Sequence, residues 1–140
     1  MPSKIDSVAL YKTRKTLREL STKTGKGTEL ISLYIPPKKA LHEVLNNLRE
    51  EYGTATNIKS DSTRNHVQDA LTKTQQRLKL FKKTPDNGIV LFVGALMTNG
   101  PGSEQVFVNE IIPPRPVQTY LYRCDDHFHL EHLMDMIKEV

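Results

Sequence analysis

Nine consecutive residues, Ile89–Met97, carry no polar side chain, and turn-forming sequences bracket them, Pro85-Asp86-Asn87-Gly88 before and Asn99-Gly100-Pro101-Gly102 after. A short apolar run without polar alternation reads as a central strand covered on both faces. It falls well short of the ~20 apolar residues that a spanning helix needs, so membrane passage is not expected. The turn that follows should return residues 105–112 as the antiparallel partner of a hairpin.

The remaining elements follow from periodicity. Residues 4–22 place Leu10, Leu17 and Leu20 on one helical face with no internal Gly or Pro. Thr24-Gly25-Lys26-Gly27-Thr28 breaks that helix, and residues 29–35 then alternate as a strand, Ile31, Leu33 and Ile35 against Ser32 and Tyr34. Pro36-Pro37 stops the strand and opens a second helix bearing Leu41, Val44, Leu45, Leu48 and Tyr52, with Gly53 at its end. After the polar segment 54–60, Asp61, Ser62 or Thr63 caps a third helix striped by Val67, Ala70, Leu71, Thr74, Leu78 and Phe81. These two helices make an αα-hairpin with an exposed tip. Past Pro113-Pro114-Arg115-Pro116, a last strand is expected over 117–124 and a short helix over about 129–138. The sum is a single α+β domain over residues 1–140, a four-stranded, mainly antiparallel sheet packed by helices.

Charge is unevenly spread. Residues 1–27 hold seven Lys/Arg against Asp6 and Glu19, more than the whole of the chain's formal +4, and Arg77, Lys79, Lys82 and Lys83 form a second basic cluster. Local excess of this kind suits a polyanionic partner, although a basic helix is commonly only a solvated face. The single cysteine, Cys124, can form neither an internal disulfide nor a Cys₄ zinc site. Met1-Pro2-Ser3-Lys4 leads into a polar stretch without the apolar core of a secretory signal, so a reducing, cytoplasmic setting is expected.

Several chemistries fail on spacing. Gly25-Lys26-Gly27-Thr28 lacks the P-loop pattern and precedes a strand, where a P-loop precedes a helix. His42-Glu43 begins an H-E-x-x-H motif, but Asn46 closes it. Cys124, His127, His129 and His132 match no familiar structural zinc spacing, so neither metal nor cofactor is expected. No G-x-S-x-G or other activated nucleophile occurs, which weakens an enzymatic reading. What remains is a tip rich in hydrogen-bonding groups and a strand rich in rings. Asn57, Lys59, Thr54, Thr56 and Ser60 can read the edge of an unstacked base and hold its phosphate. Tyr120 and Tyr122, on one strand face with Phe128 just beyond, can stack on bases or donate to them, which favours single-stranded or irregular RNA.

These segments carry a family resemblance. Thr54-Ala55-Thr56-Asn57-Ile58-Lys59-Ser60 resembles the T-A-S-N-I-K-S signature of class I peptide chain release factors of the archaeal and eukaryotic type. Tyr122-Arg123-Cys124-Asp125-Asp126-His127-Phe128 matches that family's Y-x-C-x-x-x-F motif at its three defining positions. Gly27-Thr28-Glu29 falls where the family has its G-T-x element, and Glu51 precedes N-I-K-S at the family's spacing. The resemblance runs over about residues 10–138. Thr56 stands in place of the eukaryotic serine, and Glu29 and Arg123 lean towards the archaeal branch.

The family's Gly-Gly-Gln, which sits on a middle domain and triggers peptidyl-tRNA hydrolysis, is absent from this chain. The resemblance therefore implies an amino-terminal codon-reading domain alone, a recognition module and no enzyme, expected to be monomeric in isolation. It implies a role in translation termination, reading UAA, UAG and UGA at the small-subunit decoding centre, with a translational GTPase as partner of the full-length factor. The residues it assigns to the codon and its surroundings are Thr28, Glu51, Thr54, Thr56, Asn57, Ile58, Lys59, Ser60, Tyr122, Cys124 and Phe128. Within that set Asn57 and Lys59 suit the first base, Glu51 and Tyr122 the second, and Thr28 the third. The resemblance implies that Cys124 shapes the cleft from below, and Phe128 fits either a contact or the core. A general RNA-binding module without codon selectivity would need the tip and the tyrosines, but not Glu51 or Thr28.

Overall fold

The computed structural model describes residues 7–23, 29–97 and 104–138. In chain order the elements are α1 (Ser7–Ser21), β1 (Leu30–Ile35), α2 (Leu41–Ala55), α3 (Asp61–Leu78), β2 (Ile89–Met97), β3 (Glu104–Ile111), β4 (Leu121–Asp125) and α4 (Glu131–Lys138). The four strands form one sheet in the order β3-β2-β1-β4, every pair antiparallel. Strand β2 forms a hairpin with β3, as its apolar run and the following turn signal predict; residues 98–103 between them lie outside the described segments.

Strands β1 and β2 occupy the middle of the sheet, and their side chains feed two separate cores. On one face Ile31, Leu33, Ile35, Ile89, Leu91 and Val93 pack under α2 and α3 through Val44, Leu48, Val67, Ala70, Leu71 and Leu78. On the other, Leu30, Tyr34, Val90 and Phe92 pack under α1 and α4 through Leu17, Leu20, Leu133 and Ile137. The alternation in β1 is therefore between two buried faces, and all six of its residues are buried. Ser32 and Tyr34 face the α1/α4 side, where both hydroxyls find partners after β4. The Tyr34 hydroxyl donates to the carbonyl of His129 at 2.6 Å, and the backbone N–H of His129 donates to Ser32 Oγ at 2.8 Å. Burial pushes the Tyr34 phenol far above its ordinary pKa. Among the described residues no helix is long and apolar enough to cross a membrane.

Several ends differ from the sequence expectation. Pro36-Pro37 does not open α2; it makes a turn in which Lys39 N–H bonds the Pro36 carbonyl, and the helix starts four residues later behind Ala40. Gly53 does not end α2 either. It stands in open space without a positive φ, and burial of Ala55 draws the helix onward. Ser60, rather than Asp61, Ser62 or Thr63, caps α3. The last strand begins at Leu121 and not at 117, because Val117 is pulled into the α1/α4 core and its N–H bonds the Asn87 carbonyl instead of a neighbouring strand.

The turn into β2 has one conformational requirement. Gly88 adopts a φ of 81°, and a Cβ there would run into the carbonyl oxygen of Ile35. Left-handed strain and a backbone clash add, so Gly88→Ala should cost about 2 kcal/mol or more. Urea unfolding should show this as a lower midpoint with an unchanged slope.

Candidate nucleic-acid interface

The tip of the αα-hairpin is built by tightening the end of α2. Three consecutive i→i−3 bonds, Thr56 to Gly53, Asn57 to Thr54 and Ile58 to Ala55, wind residues 56–58 down against the helix. Thr54 and Thr56 spend their hydroxyl protons on carbonyls of α2, those of Glu50 at 3.1 Å and Gly53 at 2.6 Å. Such side-chain bonds add a second donor to carbonyls near the helix end and turn the two hydroxyls back onto the backbone. Ser60 Oγ accepts from the N–H of Thr63 at 3.3 Å, which caps α3. Arg64, one turn into α3, reaches back to the Ile58 carbonyl at 3.1 Å while its second nitrogen pairs with Asp61 at 2.7 Å. Ile58 packs its side chain into the α2/α3 core. The tip is thus pinned from inside at Ile58 and from outside by Arg64.

This bracing sorts the tip residues. Asn57 and Lys59 are exposed, and among the described residues neither side chain has a partner. Both retain their full hydrogen-bonding capacity for an external ligand. The hydroxyl donors of Thr54 and Thr56 are already engaged and Ser60 Oγ accepts from Thr63, so of the five polar side chains expected to read a base or hold its phosphate only Asn57 and Lys59 are wholly uncommitted. Arg64 is the residue that sequence reasoning missed. Its signal was a lone Arg four positions after the capping serine, too common a pattern to single out.

Beside the tip lies a second group. The pairing of Leu33 with Tyr122 and of Ile31 with Cys124 puts those two β4 side chains on the α2/α3 face, where Tyr120 joins them. Burial raises the pKa of Tyr120, Tyr122 and Cys124, and Glu51, half-buried on α2, is close enough for its charge to push the same way. The Lys39 ammonium sits over the Tyr120 ring, 5.1 Å from its centroid. Burial is the main cause that raises the Tyr122 phenol, with its hydrogen-bonding neighbour Cys124 adding to the effect. Glu51, Tyr122 and Cys124 therefore form one electrostatic network.

Phe128 does not belong to it. The side chain is 4% exposed, lies on the opposite face of the sheet and meets Phe92 edge-on with ring centroids 5.6 Å apart. No base can reach it, and of its two expected roles only the core remains. Thr28 lies outside the described residues. Its neighbour Glu29 is buried, and the carboxylate meets His66 Nδ1 of α3 at 2.8 Å, which ties the start of β1 to the helix behind the tip.

Comparison with known proteins adds what geometry alone does not. The family model described as eRF1 domain 1 matches residues 8–138. The chain belongs to that family. Among its relatives, peptide chain release factor subunit 1 of Methanobrevibacter smithii is 47% identical over 98% of this chain and 33% of the relative. The same-named protein of Methanocaldococcus jannaschii is 48% identical over 96% of the chain and 32% of the relative. A solved structure titled archaeal translation termination factor, aRF1, superposes with a TM-score of 0.80 at 36% identity, covering 91% of this chain and 34% of that one. The chain thus spans about a third of the length of the curated relatives it matches. An α+β domain with a four-stranded antiparallel sheet is what the release-factor neighbour shares with it.

The half-buried network around Cys124 has a chemical signature. Burial pushes the Cys124 thiol up to about 11, and the Glu51 and Asp125 charges push the same way against the hydrogen bond with Tyr122. A raised pKa in the fold favours the neutral thiol. Its contribution to stability is present below the unfolded-state pKa and is lost as pH rises through the folded value near 11. Only the thiolate alkylates, so at pH 8 native Cys124 should react with iodoacetamide roughly a hundredfold more slowly than the same chain in urea. Mass spectrometry of the modified fraction against time measures the ratio; equal rates would mean that the thiol is not buried.

Proposed function

We propose that this chain is the stop-codon-reading domain of an archaeal-type class I release factor, acting in translation termination at the small-subunit decoding centre. The observation that carries this reading is the pair of unpartnered polar side chains, Asn57 and Lys59, on a tip fixed beside the Glu51–Tyr122–Cys124 network. Stop codons begin with U, whose carbonyls accept and whose N3–H donates. An amide and an ammonium together offer the complementary groups. Glu51 accepts from a purine amine, and the Tyr122 phenol presents both a ring and a hydroxyl to the same neighbourhood. Thr28 supplies a small hydroxyl for a third position that tolerates A or G. Thr54, Thr56, Ile58 and Ser60 hold the tip's shape, and Cys124 supports the floor. The step that cleaves peptidyl-tRNA belongs to a Gly-Gly-Gln middle domain in the full-length factor, which a translational GTPase delivers.

Each base-specific hydrogen-bond pattern contributes about 1–3 kcal/mol, and only when unmade bonds are penalised in a desolvated site. The isolated chain should therefore bind RNA weakly, with salt dependence and little codon preference. Selectivity appears once the ribosome closes around the codon.

The test uses this chain as the amino-terminal domain of an archaeal release factor, on ribosomes programmed with each stop codon. Lys59→Ala should change stability by no more than about 0.5 kcal/mol, as surface substitutions do, yet lower release on all three codons. Glu51→Gln and Tyr122→Phe should instead alter the relative use of UAA, UAG and UGA. Their double variant should depart from additivity, because they share one network. Unchanged release in the Lys59 variant, or uniform and additive losses in the other two, would refute codon reading by these residues.

A further inference from the structure

The turn after β4 gathers ligating side chains that sequence spacing pairs differently. In the sequence, Cys124 stands with three histidines. In the fold, Cys124 points to the α2/α3 face, and His132 packs its ring against Tyr34 at 5.5 Å on the other. Asp125 takes their place. It pairs with Leu30, so its side chain emerges on the α1/α4 side, the same side as His129. One carboxylate oxygen of Asp125 and one ring nitrogen each of His127 and His129 lie within 4.8 Å of one another.

We propose that Asp125, His127 and His129 form a binding site for a divalent transition ion of the zinc class. Asp125 Oδ2 and His129 Nε2 stand 3.2 Å apart. Two donors at about 2.1 Å from one tetrahedral zinc are separated by about 3.4 Å, so this pair already has the spacing of neighbouring ligands. The His127 ring is 4.7 Å from that of His129, centroid to centroid, and half-exposed, so a small side-chain rotation closes the triad. Nδ1 of His127 lies 2.7 Å from Asp126 Oδ1. Donation there leaves the ring's lone pair on Nε2, the carboxylate–histidine arrangement that orients metal-bound imidazoles. The backbone of His129 is fixed at both its N–H and its carbonyl by Ser32 and Tyr34, so one ligand rides on the sheet itself. Two imidazoles and one carboxylate select zinc, nickel or cobalt over magnesium and calcium, which prefer all-oxygen shells. Three protein donors leave a coordination position for water or an external anion.

The test uses the tag-free chain titrated with ZnCl₂ by calorimetry, with Co²⁺ absorption as a second readout. One ion should bind per chain at concentrations on the order of micromolar, raise the melting temperature, and resist competition from excess Mg²⁺. His127→Ala, at an exposed position, should weaken binding tenfold or more without altering the melting temperature of the metal-free protein. Asp125→Asn should do the same. Cys124→Ser should leave affinity within twofold and the cobalt spectrum unchanged, since no thiolate ligates. Binding that fails to saturate, or that survives His127→Ala at full affinity, overturns the site. A sulfur-to-cobalt charge-transfer band lost in Cys124→Ser would assign the ion to the cysteine instead and overturn it equally.

Discussion

Two hydroxyls of one central strand hold the back half of the molecule in place. Ser32 and Tyr34 are both buried on β1, where an unpaired hydroxyl would cost about 1–3 kcal/mol. Each meets the main chain of the same residue, His129. That shared partner fixes where the chain goes after β4. It brings Phe128 down onto Phe92, sends Leu130 and Leu133 into the core beneath α1, and leaves the His129 ring at the rim. Strand β1 therefore does more than fill a sheet, since its polar residues act as the dock for α4.

The opposite face has its own logic. There the sheet is covered by the αα-hairpin, whose apolar stripes end at Ala55 and Ile58 on one side of the turn and begin at Val67 on the other. Bridges add to the packing at both ends of α3. Arg77 makes a two-pronged contact with Glu110 of β3, at 3.0 and 2.8 Å, and His66 reaches Glu29 ahead of β1. The basic cluster noted at residues 77–83 is consequently divided, because Arg77 serves the fold while Lys79, Lys82 and Lys83 remain exposed.

Sequence periodicity made the layers legible, because the core stripes of α2 and α3 and the apolar run of β2 are each long enough to outvote local exceptions. Ends were less legible, since they depend on contacts that a linear pattern does not contain. Gly53 reads as a stop signal, yet nothing in its surroundings requires a glycine, and the burial of Ala55 two residues later carries the helix past it. The motif from Tyr122 to Phe128 shows the same limit more sharply. Counting by twos puts Tyr122, Cys124 and Phe128 on one face of a strand. The strand ends at Asp125, and the bend that follows turns Phe128 through to the other core. Parity holds only while the ladder lasts. The hydroxyls of Thr54, Thr56 and Ser60 were visible as polar groups, but their direction, inward to the backbone, was decided by the carbonyls at the end of α2 and a free N–H at the start of α3.

The order β3-β2-β1-β4 has a consequence for how the chain comes off a ribosome itself. Among the described residues the first strand made is an interior one, and both of its neighbours are encoded later, β2 from residue 89 and β4 from residue 121. While the αα-hairpin winds up from purely local contacts, β1 waits with two open hydrogen-bonding edges, the condition under which strands mispair with other chains. The tip is thus assembled before β4, which carries Tyr122 and Cys124, has been made.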